Sequence, residues 1–302
     1  MLKLPFPDEE PHDQALSSEE LARRAFETWE RNVRLAKAGK KPYPTTSIPL
    51  LDSVLGDWMW PGLYILHGVA GAGKSALASQ IAVQCGVPVL YITCEMTPVQ
   101  MFTRMTALAT STYMYVLNHK GTPSNVVEAK YLESTKKLKH IVIADGTTPP
   151  ALTPHWIMST AQYMSQVDDM TPLIIIDSLH AWTETVQRED TSEYQSLNSA
   201  IMSLRKIIAY RDCPILAISE RNRASMNTGG LAASRGSGRI EYTADVVLDF
   251  TREDKTDAYR PNEPIDVVLK IVKNRFGATG GFIPLRFDPK VMKFTERPYS
   301  SV

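Results

Sequence analysis

From Leu63 onward, short apolar runs alternate with longer stretches of mixed polarity. The runs Leu63–His67, Val87–Thr93, His140–Ala144, Leu173–Asp177, Pro214–Ser219 and Asp245–Phe250 have the length and branched character of strands. The stretches between them, Lys74–Cys85, Pro98–Ala109, Val126–Leu138, Pro154–Val167 and Ser192–Tyr210, read as helices. Strands that are apolar throughout, rather than at every second residue, are covered on both faces. The pattern therefore predicts an α/β fold, a mostly parallel sheet flanked by helices. Two later runs, Ile265–Val272 and Phe282–Phe287, are joined through Asn274-Arg-Phe-Gly-Ala-Thr-Gly-Gly281 and predict a C-terminal antiparallel hairpin extension.

The segment 1–44 reads as an N-terminal tail with an amphipathic linker helix, leaving 45–302 as the main domain. Ser17-Ser-Glu-Glu20 has capping-box spacing, and the helix it opens runs to about Ala38, with Gly39 as its stop. Leu21, Ala25, Phe26, Trp29 and Val33 share one face, which packs either on the chain's own core or on a neighbouring subunit. Pro42, Pro44 and Pro49 then form a stiff, extended connector.

The first predicted strand and helix are separated by Gly68-Val69-Ala70-Gly71-Ala72-Gly73-Lys74-Ser75, followed by Ala76. Strand, glycine loop and helix in that order form the setting of a phosphate-binding P-loop. The glycines let backbone N–H groups close on a polyphosphate, and the helix N-terminus adds partial positive charge. Lys74 would reach the β and γ phosphates of ATP, and the Ser75 hydroxyl would hold Mg²⁺. Two carboxylates follow. Leu173-Ile-Ile-Ile-Asp177 ends an apolar strand in the residue that would orient the Mg²⁺ shell. Val89-Leu-Tyr-Ile-Thr-Cys94-Glu95 ends another in a candidate general base. If that strand lies beside the P-loop strand, Glu95 could polarise an attacking water; otherwise it caps the helix beginning near Thr97.

Composition narrows the setting. The 302 residues are 43% hydrophobic and 22% charged, with Lys plus Arg equal to Asp plus Glu at 33 each, so any nucleic-acid surface must be local. Cys85, Cys94 and Cys213 lack CxxC spacing and read as small core residues rather than disulfide or zinc partners. No apolar run approaches a membrane span, and the acidic, proline-rich start is unlike a signal peptide, so a cytoplasmic protein without a membrane partner is expected.

Beyond Glu95 the chain resembles the DnaB-type replicative helicases. The resemblance rests on Glu95-Met-Thr-Pro-Val-Gln-Met-Phe-Thr-Arg104-Met, His140-Ile-Val-Ile-Ala-Asp145-Gly-Thr-Thr-Pro, Ile218-Ser-Glu220-Arg221-Asn-Arg223 and Ser237-Gly-Arg239-Ile-Glu241-Tyr-Thr-Ala-Asp245-Val-Val. It also rests on Lys273-Asn-Arg275-Phe-Gly277 with Pro284-Leu-Arg-Phe-Asp288, whose wording is similar to RadA. Both relatives are RecA-type ATPases, and the match runs from about Thr45 to Pro289. It implies a RecA-like P-loop core, Glu95 as catalytic base, and Lys273 and Arg275 reaching a neighbour's γ-phosphate in a hexameric ring. The alternative for these two is a pair of solvent-facing basic residues.

Two departures stand out. The N-terminal segment cannot supply the primase-gripping domain of replicative helicases. Glu220 also occupies the γ-phosphate sensor position where those helicases carry Gln, and an ionised Glu repels phosphate unless it pairs with an arginine such as Arg221 or Arg223. From Arg221 to Ile240 the chain carries Arg221, Arg223, Arg235 and Arg239 with no acidic residue, interleaved with glycines. Such a loop either follows a phosphodiester backbone or is a solvated surface segment, and the resemblance places it at a DNA-binding loop. The expectation is a DnaB-like, ATP-hydrolysing ring motor on single-stranded DNA. The alternative is a regulatory or recombination-mediator ATP switch that unwinds nothing.

Overall fold

The computed structural model describes residues 17–148, 150–186, 192–220, 237–252 and 263–298. It divides into two compact units, Met1–Pro42 and Tyr43–Val302. In the first, helix α1 spans Ser18–Lys37. The Ser17 hydroxyl accepts from the Glu20 N–H, but only this half of the expected capping box forms. Glu20 turns its carboxylate outward to Arg23 and Arg24 instead, at 2.6 and 2.7 Å. The helix ends at Ala38, and Gly39 takes the left-handed conformation that stops it (φ 69°). Leu21, Phe26 and Trp29 are exposed, the two aromatic rings stacked at 5.8 Å.

In the second unit the elements run α2 (Pro49–Val54), β1 (Leu63–Gly68), α3 (Lys74–Gln84), β2 (Val89–Thr93), α4 (Pro98–Thr110) and α5 (Met114–Asn118). They continue with α6 (Ser124–Lys137), β3 (Ile141–Asp145), α7 (Pro154–Asp168), β4 (Leu173–Asp177), α8 (Leu179–Val186) and α9 (Glu193–Arg211). The last are β5 (Ile215–Glu220), α10 (Ser237–Thr243), β6 (Val246–Arg252), β7 (Ile265–Asn274), β8 (Phe282–Asp288) and β9 (Lys293–Glu296). One sheet orders the strands β3-β2-β4-β5-β1-β6-β7-β8-β9. Pairing is parallel from β3 to β6 and antiparallel from β6 to β9. This is the expected α/β architecture with its antiparallel extension. The short elements α2, α5, α8, α10 and β9 add to the expected set, because each is too brief to show a period in the sequence. β2 begins at Val89 rather than Val87, since Pro88 has no N–H to give the ladder.

Alternate residues of the central strands feed two cores. Tyr64 and Leu66 of β1 join Leu77, Ile81, Met101, Val246 and Phe250 on the face covered by α3 and α4. Leu63 and Ile65 join Ile174, Ile176, Trp182, Leu204 and Val247 on the face covered by α7, α8 and α9. Burial on both faces is why these strands read as unbroken apolar runs. One conditional expectation is corrected: β2 is not beside β1, because β4 and β5 stand between them. No helix among the described residues is long and apolar enough to cross a membrane.

Candidate active site

At the carboxyl end of β1 the chain turns sharply into α3. Gly71 and Gly73 hold positive φ (73° and 106°), which side chains disfavour, and Gly73 is the N-cap of α3. Gly68 is required for a second reason: a Cβ there would stand 2.7 Å from the Phe250 carbonyl oxygen. An aromatic wall backs the loop. Phe294 packs edge-on against Phe250 at 5.6 Å and flat against Phe287 at 4.5 Å. The Gln80 side chain of α3 donates to the Phe294 carbonyl (3.1 Å) and accepts from the Phe294 N–H (2.6 Å). The terminal strand β9 is thereby tied to the P-loop helix.

Lys74 is 6% exposed, and its Nζ donates to the carbonyls of Gly68 and Val69, both at 2.9 Å. Burial pushes its pKa below the ordinary lysine range, opposed by the charges of Glu220, Glu95 and Asp177. Those carboxylates come from three strand ends that the sheet order lines up beside the P-loop. Glu220 ends β5, in register with Gly68. Asp177 ends β4, and its Oδ1 accepts from the Ser75 hydroxyl at 3.1 Å, although the two residues are 102 positions apart. Its Oδ2 accepts from the Tyr91 hydroxyl at 2.8 Å. Burial raises the Asp177 carboxyl above the usual carboxylate range, and the hydrogen bonds from Tyr91 and Ser75 offset part of that.

Glu95 follows β2 and is exposed. The idea that it merely caps α4 does not hold: Thr97 is the N-cap, and Thr97 and Gln100 form a complete capping box. The Glu95 carboxylate makes no hydrogen bond to any described residue, while its backbone is held from both sides. The Cys94 N–H donates to the Asp177 carbonyl (2.6 Å), and the Thr93 hydroxyl to the Met96 carbonyl (2.6 Å). Although β2 is two strands removed from β1, Glu95 remains close enough to raise the Lys74 pKa.

The donor set suits Mg²⁺. A hydroxyl and a carboxylate are hard oxygen ligands, and Mg²⁺ is ordinarily held by one or two protein oxygens, water and phosphate rather than by a protein cage. In agreement, no group of three or more His, Cys, Asp or Glu side chains could hold a metal among the described residues. Three carboxylates around a single ammonium also leave a negative excess that a divalent cation would balance.

The hairpin segment after β7 is built by Asn274, Phe276 and Gly277. The Asn274 side-chain amide donates to the carbonyls of Val54 (3.0 Å) and Ala278 (3.1 Å). Phe276 stacks on Tyr64 at 6.1 Å, and a Cβ on Gly277 would meet the Val54 oxygen at 2.6 Å. Lys273 and Arg275 are presented by this frame at the end of the sheet away from the chain's own P-loop. Lys273 pairs with Val247, whereas Gly68 pairs with Phe250. Neither is a loose surface cation. Lys273 Nζ donates to the Glu241 and Tyr242 carbonyls (3.1 and 2.6 Å), and Arg275 donates to Asp245 Oδ1 (2.8 Å). Asp245 Oδ2 accepts from Arg205 (2.7 Å) and from the Leu63 N–H (2.8 Å).

Sequence reasoning missed Tyr91, Arg205 and Asp245 as partners. Only the tyrosine phenol inside an otherwise apolar strand offered a signal. Arg221, Arg223 and Arg235 lie outside the described residues, as does the Arg239 side chain, although α10 carries its backbone. The arginine-rich segment leaves the sheet at Glu220, beside Gly68, and returns through α10.

The model of the DnaB-like helicase C terminal domain family matches residues 45–296. Among solved structures, the chain is similar to an ATPase domain solved on its own, with 18% identity, a TM-score of 0.74, and 94% of this chain and 100% of that one covered. It is also similar to a DnaB-like replicative helicase described with its interactions with primase (18% identity, TM-score 0.71, 92% and 68% covered). A KaiC-like protein from the hyperthermophilic archaeon Pyrococcus horikoshii OT3 shares the fold at a lower TM-score of 0.57, with 16% identity and 84% and 98% covered. No curated protein matches the sequence. With a P-loop backed by its own terminal strand, and a family match spanning nearly all of the second unit, the chain belongs to the DnaB-like helicase C terminal domain family, a RecA-fold P-loop ATPase domain.

Proposed function

We propose that this protein is an ATP-hydrolysing ring motor, a hexamer acting on single-stranded DNA. The observation that carries the reading is the register of Glu220 with Gly68. It makes the arginine-rich segment leave the sheet at the point where the phosphates would lie, so nucleotide state and DNA contact share one strand end. The backbone of Gly68 through Ala76 cradles the triphosphate, and Lys74 exchanges its two loop carbonyls for phosphate oxygens. Mg²⁺, when bound with ATP, neutralises charge on the β and γ phosphates. Ser75 would hold it, and Asp177 would orient its water shell. Glu95 accepts a proton from the attacking water. Lys273 and Arg275 serve the phosphate of the adjoining subunit, because their own P-loop lies at the opposite end of the strands. Arg221, Arg223, Arg235 and Arg239 follow the DNA backbone with little sequence preference. The exposed Leu21, Phe26 and Trp29 of α1 suit packing on another copy.

A second reading, an ATP switch that assembles without unwinding, is favoured by Glu220, an exposed carboxylate where a phosphate-sensing donor is needed. The ATP hydrolysis rate with and without single-stranded DNA separates the two. The motor reading expects stimulation, and a rate indifferent to DNA supports the switch.

A further inference from the structure

A closed loop of hydrogen bonds joins α3, β2 and β4 beneath the P-loop. Ser75 donates to one oxygen of Asp177, and Tyr91, fully buried on β2, donates to the other. Ser79, one turn along α3, donates to the Ser75 carbonyl at 2.7 Å and also faces the Tyr91 phenol. Register places Thr93 opposite Asp177 and Tyr91 opposite Ile175, so the phenol reaches Asp177 diagonally along the same face of the sheet. Asp177 is 3% exposed. A carboxylate this buried has no water to take over if one oxygen loses its donor, and it is then free to turn. The same strand carries Glu95 onward from Tyr91, so one phenol ties the metal-side carboxylate to the strand that presents the candidate base.

We infer that Tyr91 is a positioning residue: by holding Asp177 Oδ2, it fixes the carboxylate so that Oδ1 and the Ser75 hydroxyl together face the cation that accompanies the nucleotide. The inference rests on the reading of Asp177 as the residue that orients the Mg²⁺ shell, and goes beyond it by naming what orients Asp177. A phenylalanine would fill the same volume and leave the packing of β2 intact, so the hydroxyl can be removed alone.

The test is binding of a fluorescent ATP analogue titrated with Mg²⁺, compared with binding in EDTA, for the unmodified protein, Tyr91→Phe, Asp177→Asn and the double variant. Tyr91→Phe should raise the half-saturating Mg²⁺ concentration roughly ten- to a hundredfold, the worth of a hydrogen bond to a buried charge, with nucleotide affinity in EDTA unchanged. In the Asp177→Asn background it should add nothing. A half-saturating Mg²⁺ within about twofold of the unmodified protein overturns the inference, as does an equal loss of affinity with and without Mg²⁺, which marks a packing defect. If Asp177→Asn itself leaves the Mg²⁺ dependence unchanged, the reading of Asp177 fails and the inference falls with it. If Asp177→Asn weakens it and Tyr91→Phe does not, the inference alone fails.

Discussion

Replacing Arg275 by alanine should inactivate a subunit's neighbour and leave the subunit's own P-loop competent. The geometry is specific on this point. Gly68, at the P-loop, stands opposite Phe250 on β6, while the Arg275 N–H donates to the carbonyl of Asp245, just before β6 begins. From Phe250 back to Asp245 is roughly 17 Å at the rise of a strand, too far for the guanidinium to serve its own phosphate. Arginines supplied in trans are worth about 10³–10⁵ in turnover, so Arg275→Ala alone should lose at least about a thousandfold. Lys74→Ala should be comparably inactive for the opposite reason, since it keeps its finger and loses its phosphate contact. Mixed one to one and allowed to reassemble, the two variants place an intact P-loop against an intact Arg275 at roughly one interface in four of a head-to-tail ring. The assay is steady-state ATP hydrolysis across mixing ratios, with recovery to about a quarter of the unmodified rate at equal proportions. Absence of any recovery, or an Arg275→Ala variant that turns over normally by itself, refutes the trans assignment.

Three further outcomes follow from the same site. Glu95→Gln should bind ATP normally and lose about 10²–10⁴-fold in turnover, measured by nucleotide binding beside hydrolysis; unchanged turnover would move the base elsewhere, Glu220 first. Asp177→Asn should melt at a higher temperature than the unmodified protein when free of ligand. The raised carboxyl pKa means its contribution is present below the unfolded value and lost as pH rises through the folded one, so at neutral pH the buried carboxylate costs stability. A scan showing no gain at pH 7 but a gain at pH 4 would reverse that sign. Arg235→Ala with Arg239→Ala should lower the slope of log affinity against log salt for single-stranded DNA by roughly 1.4, and an unchanged slope would move the contact to other residues.

The fold was legible because its central strands are buried on both faces, so unbroken apolar runs such as Leu173–Ile176 marked them, and the glycines of 68–73 marked the turn between β1 and α3. Strand order was not legible. Nothing local to Val89–Thr93 tells that β4 and β5 intervene before β1, since neighbours in a sheet are chosen by crossover connections. Site residues announced by backbone demands or by charge at a strand end (Gly73, Lys74, Asp177, Glu220) could be named in advance. Tyr91 and Asp245 could not, because their roles are contacts made across the sheet to residues distant in sequence. The capping of α4 by Thr97 rather than Glu95 is written in the Thr-x-x-Gln spacing, a quieter signal than the carboxylate two residues before it.

The central claim is that nucleotide hydrolysis here drives movement on DNA, and unwinding of a forked duplex with ATP and Mg²⁺ tests it most directly. Strand separation should appear with ATP, fail with a non-hydrolysable analogue, and fail with Lys74→Ala. Binding to single-stranded DNA should persist with the analogue present. Vigorous ATP hydrolysis with no strand separation, and no single-stranded DNA binding at low salt with the analogue, would contradict the motor account and leave the switch in its place.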